Sequence, residues 1–155
     1  QVWPWLVQLG VDRGGMYSYL WVENWLLRLH VENSDEIRPE WQTLQVGDFI
    51  RFTPKDFALN PGPGLYVKGS EPAAALVGCF GLEDKEEDCS VSATWQFILM
   101  PQGDHGTRLI LRSRTPGEPS LLASSGSKVA AAFQFYMERK MLIGLKERAE
   151  RKGKN

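Results

Sequence analysis

The stretch from Ser127 to Arg151, SKVAAAFQFYMERKMLIGLKERAER, most constrains what this chain can become, because it is the longest uninterrupted helical pattern in it. It contains no Pro and one interior Gly, Gly144. On a 3.6-residue wheel Val129, Phe133, Met137, Met141 and Gly144 fall on one face with Leu145 at its edge, while Glu138, Arg139, Lys146 and Glu150 lie mostly opposite. Ser127 has the chemistry of an N-cap, and Arg151, Lys152 and Lys154 suit a helix C-terminus. Each large apolar side chain on that face stabilises by about 1.5–3 kcal/mol when buried, so the helix must lie on something.

What precedes it supplies the surface. From Val46 the hydrophobic period changes to two, and the segments GDFIRFTP, LYVKGSEP, AAALVGCF, SVSATWQFILMP and TRLILRSRTP read as strands. The last two form a hairpin over the Gln102–Gly106 turn. Trp95, Phe97 and Leu99 point one way in that hairpin, and Leu109 and Leu111 alternate with Arg108, Arg112 and Arg114, predicting a sheet greasy on one face and basic on the other. Thr115–Gly126 is a Pro/Gly/Ser-rich loop of the kind that often forms a lid. Upstream, VWPWLVQLG reads as a short helix with Pro4 in its first turn and Gly10 as its stop. Tyr19 to Leu29 reads as a second helix, apolar almost all round, and Pro39 starts a single turn. The order is helix, helix, five or more antiparallel strands, long helix: an α+β arrangement in one domain over residues 1–155, with a curved sheet holding the C-terminal helix.

Charge and composition exclude several classes. A net charge of −1 offers no electrostatic case for nucleic acid. No segment approaches the roughly 20 apolar residues of a membrane span, and no signal peptide is visible, so a cytoplasmic protein is expected. Cys79 and Cys89 are too few for a disulfide framework or a metal set and read as free thiols in a reducing compartment, with a bridge across the turn between them as the alternative. The Gly14–Gly15 pair has neither the preceding strand nor the following Lys of a phosphate loop. The five carboxylates between Glu83 and Asp88 lack the spacing of a calcium loop and read as a solvated turn.

Several strings resemble a known family. VWPWLVQLGVDRGGMYSY, ENW, EIRPEWQTLQVGD, TRLILRSR and MERKMLIGLKERAE, in this order, are similar to bacterial members of the SRPBCC group, the START and birch-pollen-allergen superfamily that includes polyketide cyclase-type proteins. The resemblance implies a helix-grip fold: seven antiparallel strands round the C-terminal helix, two short helices closing one end, and a hydrophobic cavity between helix and sheet. The subgroup it points to has no assigned activity. Two departures matter. Relatives have a strand before the first helix, so either those residues lie outside this sequence or the sheet lacks a strand and exposes an edge. Relatives also often carry Asp where this chain has Leu20.

The expected function is binding of a small or medium hydrophobic molecule, of lipid, polyketide or aromatic type, in that cavity. With six Trp, seven Phe and four Tyr, the aromatic load suits a core first and a pocket wall as the alternative. The candidate walls are Trp5, Tyr17, Tyr19, Trp41, Trp95, Phe97, Phe133, Met137 and Met141, methionines giving an adaptable lining. The candidate polar fixtures are Glu23, Asn24 and Lys140. Lys140 lies within about two-thirds of a right angle of the stripe's centre and would either snorkel out or pair with Glu23 or Glu40, as a structural tie or facing a ligand. No catalytic residue, cofactor or metal site is assigned, since His30 and His105 have no nucleophile or second ligand at a telling spacing. The alternatives are a cyclase- or dehydratase-like enzyme using Tyr, Glu or Lys, and a protein whose aromatics fill the cavity and which acts through its surface. The sequence does not speak to oligomeric state.

Overall fold

The computed structural model describes residues 1–26, 30–56, 61–85, 92–104, 106–115 and 125–151, with backbone only at Glu23, Leu26, 125–128 and Ala130. His105, the acidic residues 86–88, Cys89 and most of the Thr115–Gly126 loop lie outside the described residues.

Five strands follow one another in space as in sequence: β1 (Phe49–Arg51), β2 (Pro63–Glu71), β3 (Ala75–Leu82), β4 (Thr94–Gln102) and β5 (Gly106–Arg114) form an antiparallel sheet of order β1-β2-β3-β4-β5. All five coincide with alternating segments read from the sequence, because each short strand buries one side and its period of two shows in composition. The seven strands implied by the family resemblance are five among the described residues. A register shift between Val67 and Gly69 interrupts the β2–β3 ladder.

Pairing across the last hairpin sorts the two faces. Trp95 opposes Ser113, Phe97 opposes Leu111 and Leu99 opposes Leu109, while Gln96 opposes Arg112, Ile98 opposes Ile110 and Met100 opposes Arg108. Arg108, Arg112 and Arg114 therefore stand exposed on the face away from the core.

Helix α1 (Trp3–Val7) has Pro4 in its first turn, as Pro geometry favours, and packs against α2 (Ser125–Arg151). Trp5, Tyr17, Leu65, Leu76, Phe97, Met141 and Leu145 are each at most 2 % exposed and form the centre of the core. Within the second predicted helix, Tyr19–Leu29, the described residues form a π-helical turn over Val22–Leu26, residues 27–29 lying outside the described ones, and only Val22 among the turn's described side chains is buried. Trp21 and Trp25 are 57 % and 77 % exposed, so the expectation of a helix buried on several sides is corrected. The short π turn cannot bury both tryptophans while Asn24 is turned back to bond the backbone of Val31 on both its N–H and C=O. The single turn from Pro39 to Trp41 is present as a 3-10 helix.

Helix α2 buries only the C-terminal part of the stripe the wheel selects, extended to Arg148 and Ala149. Met141, Gly144, Leu145, Arg148 and Ala149 are buried, while Val129, Phe133, Phe135 and Tyr136 are 42–69 % exposed. Only the second half of α2 lies in the core, and its sheet-facing line runs back through Glu138 to Gln134. Glu138, expected opposite the apolar face, thus points to the sheet.

Two polar networks tie the N-terminal segments to this core. Gln8 is fully buried; its amide donates to the Tyr17 hydroxyl at 2.8 Å and the Glu36 carbonyl at 3.1 Å, and its oxygen accepts from Gln42 Nε2 at 3.3 Å. Arg148 donates to the Ser34 carbonyl, pairs with Asp35 at 2.9 Å and lies over the Tyr17 ring at 4.6 Å. At the other end Arg51 binds Glu83 and Asp12, so the turn after β3 is partly an ion-paired tie and not wholly solvated.

Cys79 is disulfide-bonded and fully buried, which corrects the reading of both cysteines as free thiols. The sequence argument for a reducing compartment falls with it. No helix among the described residues is long and apolar enough to cross a membrane.

Candidate functional site

Where the first half of α2 meets β4 and β5, one carboxylate gathers three donors. Glu138 Oε1 accepts hydrogen bonds from the Trp95 indole Nε1, the Ser113 hydroxyl and Gln134 Nε2, each at 2.8 Å. Sheet register sets this up: Trp95 and Ser113 are cross-strand neighbours on the core-facing side, directly under the helix line Gln134–Glu138. Gln134 and Glu138 are four residues apart and so share a helix face. Glu138 is half-buried, Trp95 is 7 % exposed, and Ser113 and Gln134 are exposed, so the cluster sits at the mouth of the sheet–helix space. Glu138 Oε2 accepts no hydrogen bond from a described residue.

From Trp95, whose indole meets the carboxylate, the rings run on as a continuous cluster. Trp95 packs edge-on against Phe80 at 5.1 Å and Phe97 at 5.8 Å and lies tilted to Phe52 at 5.4 Å, with Phe52 and Phe80 themselves 5.5 Å apart. Phe52 and Phe80 are half-buried, leaving part of each ring open. Glu138 is the charged group at this wall: Arg112 and Arg114 project from the opposite sheet face, and no Lys or Arg among the described residues pairs with it.

The twelve candidates from the sequence separate into four places. Trp5, Tyr17, Phe97 and Met141 are core residues, and burial pushes the Tyr17 hydroxyl up to about 12, with the Gln8 bond and the Arg148 charge acting against it. Trp95 belongs to the Glu138 cluster, and the half-buried Met137 lies one residue away, its carbonyl accepting from the Ser18 hydroxyl at 3.3 Å. Tyr19, Phe133 and Lys140 lie toward the outside of α2: Tyr19 stacks on Tyr136 at 4.6 Å, Lys140 Nζ sits 5.8 Å from the Tyr19 ring centre, and Phe133 is 42 % exposed. Lys140 makes no ion pair with Glu40, whose exposed side chain sits in the 39–41 turn, and it contacts the Tyr19 ring; the alternative partner, Glu23, has its side chain outside the described residues. Asn24 and Trp41 serve local structure, Asn24 through Val31 and Trp41 under the Arg38 guanidinium at 4.9 Å. The Glu23 side chain lies outside the described residues.

A separate open groove of about 1240 Å³ runs along the other flank of α2, between Leu142, Ile143, Lys146 and the tip of the β4–β5 hairpin. None of the twelve candidates lines it.

Sequence reasoning missed Glu138, Ser113 and Gln134. The signal was present as the spacing Gln134, Glu138, Met141, Leu145 and Arg148, a second stripe competing with the more apolar one. Neither a family model, a curated protein nor a solved structure matches the chain.

Proposed function

We propose that this chain is a helix-grip protein of the SRPBCC type that binds a small or medium hydrophobic molecule, of lipid, polyketide or aromatic kind, between its sheet and C-terminal helix. The observation that carries the reading is the half-open aromatic wall of Phe52, Phe80 and Trp95 ending at a single oriented carboxylate. Apolar walls with a few convergent polar groups are how proteins hold such molecules, the rings supplying contact area and the polar group orientation. Core side chains pack the centre of the sheet–helix space, and the binding region of this reading is the end where α2 leaves its large side chains exposed.

A cyclase- or dehydratase-like reaction would require an acid and a base acting in turn. At the wall Glu138 contacts an indole, a hydroxyl and an amide, none a partner for proton exchange near neutral pH. Binding is therefore the preferred reading.

The test is native mass spectrometry of gently purified protein, followed by denaturation to identify released compounds, with a thermal-shift panel of fatty acids, aromatics and polyketide-like phenols. A ligand at about a hundred times its Kd adds about 2.7 kcal/mol, or roughly 5–10 °C in a chain of this size. A protein that is always empty and shifts with no member of the panel would refute the proposal.

A further inference from the structure

The large apolar side chains that stay outside the core are not scattered. Trp21, Trp25, Phe133, Phe135 and Tyr136 are all exposed, and the Tyr19 ring joins the two segments that carry them. It stacks on Tyr136 at 4.6 Å, meets Trp21 edge-on at 6.3 Å and has the Lys140 ammonium 5.8 Å from its centre. Trp21 and Trp25 lie four residues apart in one helical stretch and share its outer side. Single exposed apolar residues are ordinary, whereas a contiguous set of rings marks an interaction surface.

On α2 the charges beside these rings have one sign. Glu138, Arg139 and Lys140 are consecutive, and the orientation of the helix separates them. Glu138 is turned to Trp95 and Ser113, while Arg139 is exposed and Lys140 lies at the Tyr19 ring. Arg139 follows Phe135 by four residues and Lys140 follows Tyr136 by four, so each cation stands one turn beyond an exposed ring on the same side of the helix.

Trp and Tyr rings, apolar in body and polar at the tip, flanked by cations, are the composition that seats a protein in the headgroup layer of a membrane. The net charge of −1 does not oppose this, because at physiological salt a charge acts over roughly 8 Å and the local pair dominates. A second copy of the chain is a poorer occupant. Setting this face against itself brings the Arg139–Lys140 pairs of two chains together, with Glu138 already held by the sheet.

We propose that the face formed by Tyr19, Trp21, Trp25, Phe133, Phe135 and Tyr136 docks on the surface of an anionic phospholipid bilayer. The rings enter the headgroup layer, and Arg139 and Lys140 meet lipid phosphates. The attachment is peripheral, since no helix among the described residues is long and apolar enough to cross the bilayer. It does not depend on whether the sheet–helix space holds a ligand.

The experiment is co-sedimentation of the full chain with vesicles of phosphatidylcholine, alone or mixed with phosphatidylglycerol. Each cation near an anionic surface strengthens binding about fivefold, so the mixed vesicles should bind the chain roughly tenfold or more tightly than phosphatidylcholine alone. The double substitution Trp21→Ser, Trp25→Ser should weaken binding to the mixed vesicles by at least about tenfold. Both side chains are exposed, so circular dichroism and Tm should not change. Met100→Ser, at an exposed apolar residue on the outer face of the sheet, should leave binding as it was. In the native chain, lipids brominated near the headgroup should quench tryptophan emission, and the double variant should lose that quenching. No binding to the mixed vesicles overturns the proposal, as does binding that the double variant leaves unchanged. Equal binding to both vesicle types overturns the role given to Arg139 and Lys140. A chain that ignores vesicles but sediments as a dimer, and as a monomer once both tryptophans are replaced, assigns the face to a second copy and overturns the membrane.

Discussion

Replacing Gly144 by Ala sets two well-defined effects against each other. In an isolated helix the change stabilises by about 1 kcal/mol, since Ala is the better helix former. Here α2 crosses Tyr17 at that point. A Cβ on residue 144 would meet the Tyr17 carbonyl oxygen first and lie 2.9 Å from Tyr17 Cβ, short of the 3.4 Å where ordinary contact begins. Tyr17 cannot easily yield. Its backbone sits at φ 54°, its N–H donates to Asn33 Oδ1 at 2.7 Å, and its hydroxyl is bonded by Gln8. Overpacking of this kind costs about 1–3 kcal/mol, and a clash with backbone puts it in the upper half of that range, so after the gain in helix propensity the net effect is a destabilisation of roughly 1–2 kcal/mol. For a chain of 155 residues that lowers Tm by roughly 2–8 °C. Thermal unfolding followed by circular dichroism measures it, and an unchanged or raised Tm for Gly144→Ala would refute the close approach of α2 to Tyr17.

The alkaline limb of stability should report the buried phenol. The Tyr17 hydroxyl is raised to about 12 in the folded chain against 10.0 for an ordinary tyrosine. The folded state holds the proton more tightly, so its contribution is intact below pH 10 and is lost as pH rises through about 12; Tyr17→Phe should flatten that limb in urea titrations at successive pH values. Arg148→Met should cost roughly 2–3 kcal/mol by removing the bond to the Ser34 carbonyl and the contact with the Tyr17 ring, whereas Asp35→Ala, removing an acid 61 % exposed, should cost less than about 1 kcal/mol in chemical denaturation. If both substitutions cost the same, the clamp is only its ion pair. Treatment with dithiothreitol should lower Tm by an amount consistent with about 2–4 kcal/mol, and thiol titration of the unfolded, unreduced chain should find Cys79 unreactive.

Strands and the long helix were legible because their periodicity is local: a strand half-buried in a sheet must alternate, and a docked helix must repeat at three and four residues. Each of the five strands and the hairpin register can be read from GDFIRF through TRLILRSR for that reason. The two helical segments near the start fared differently. Pro4 and Gly10 bracket α1 chemically, but the Tyr19–Leu29 run is apolar all round, and no one-dimensional pattern says which side of it will meet the core.

By itself the sequence determined the α+β order, the strand faces with Arg108, Arg112 and Arg114 turned outward, and the aromatic supply for a core. Tertiary structure decided which of two overlapping stripes on α2 meets the sheet. The wheel selects Val129, Phe133, Met137, Met141 and Gly144, and Gly144 does press on Tyr17, yet the first half of that stripe stands exposed while Glu138 meets Trp95 and Ser113. Helix rotation depends on which residues of other elements it touches, a long-range quantity that local period does not encode. The Glu138 carboxylate meets Trp95 because that side of α2 faces the sheet.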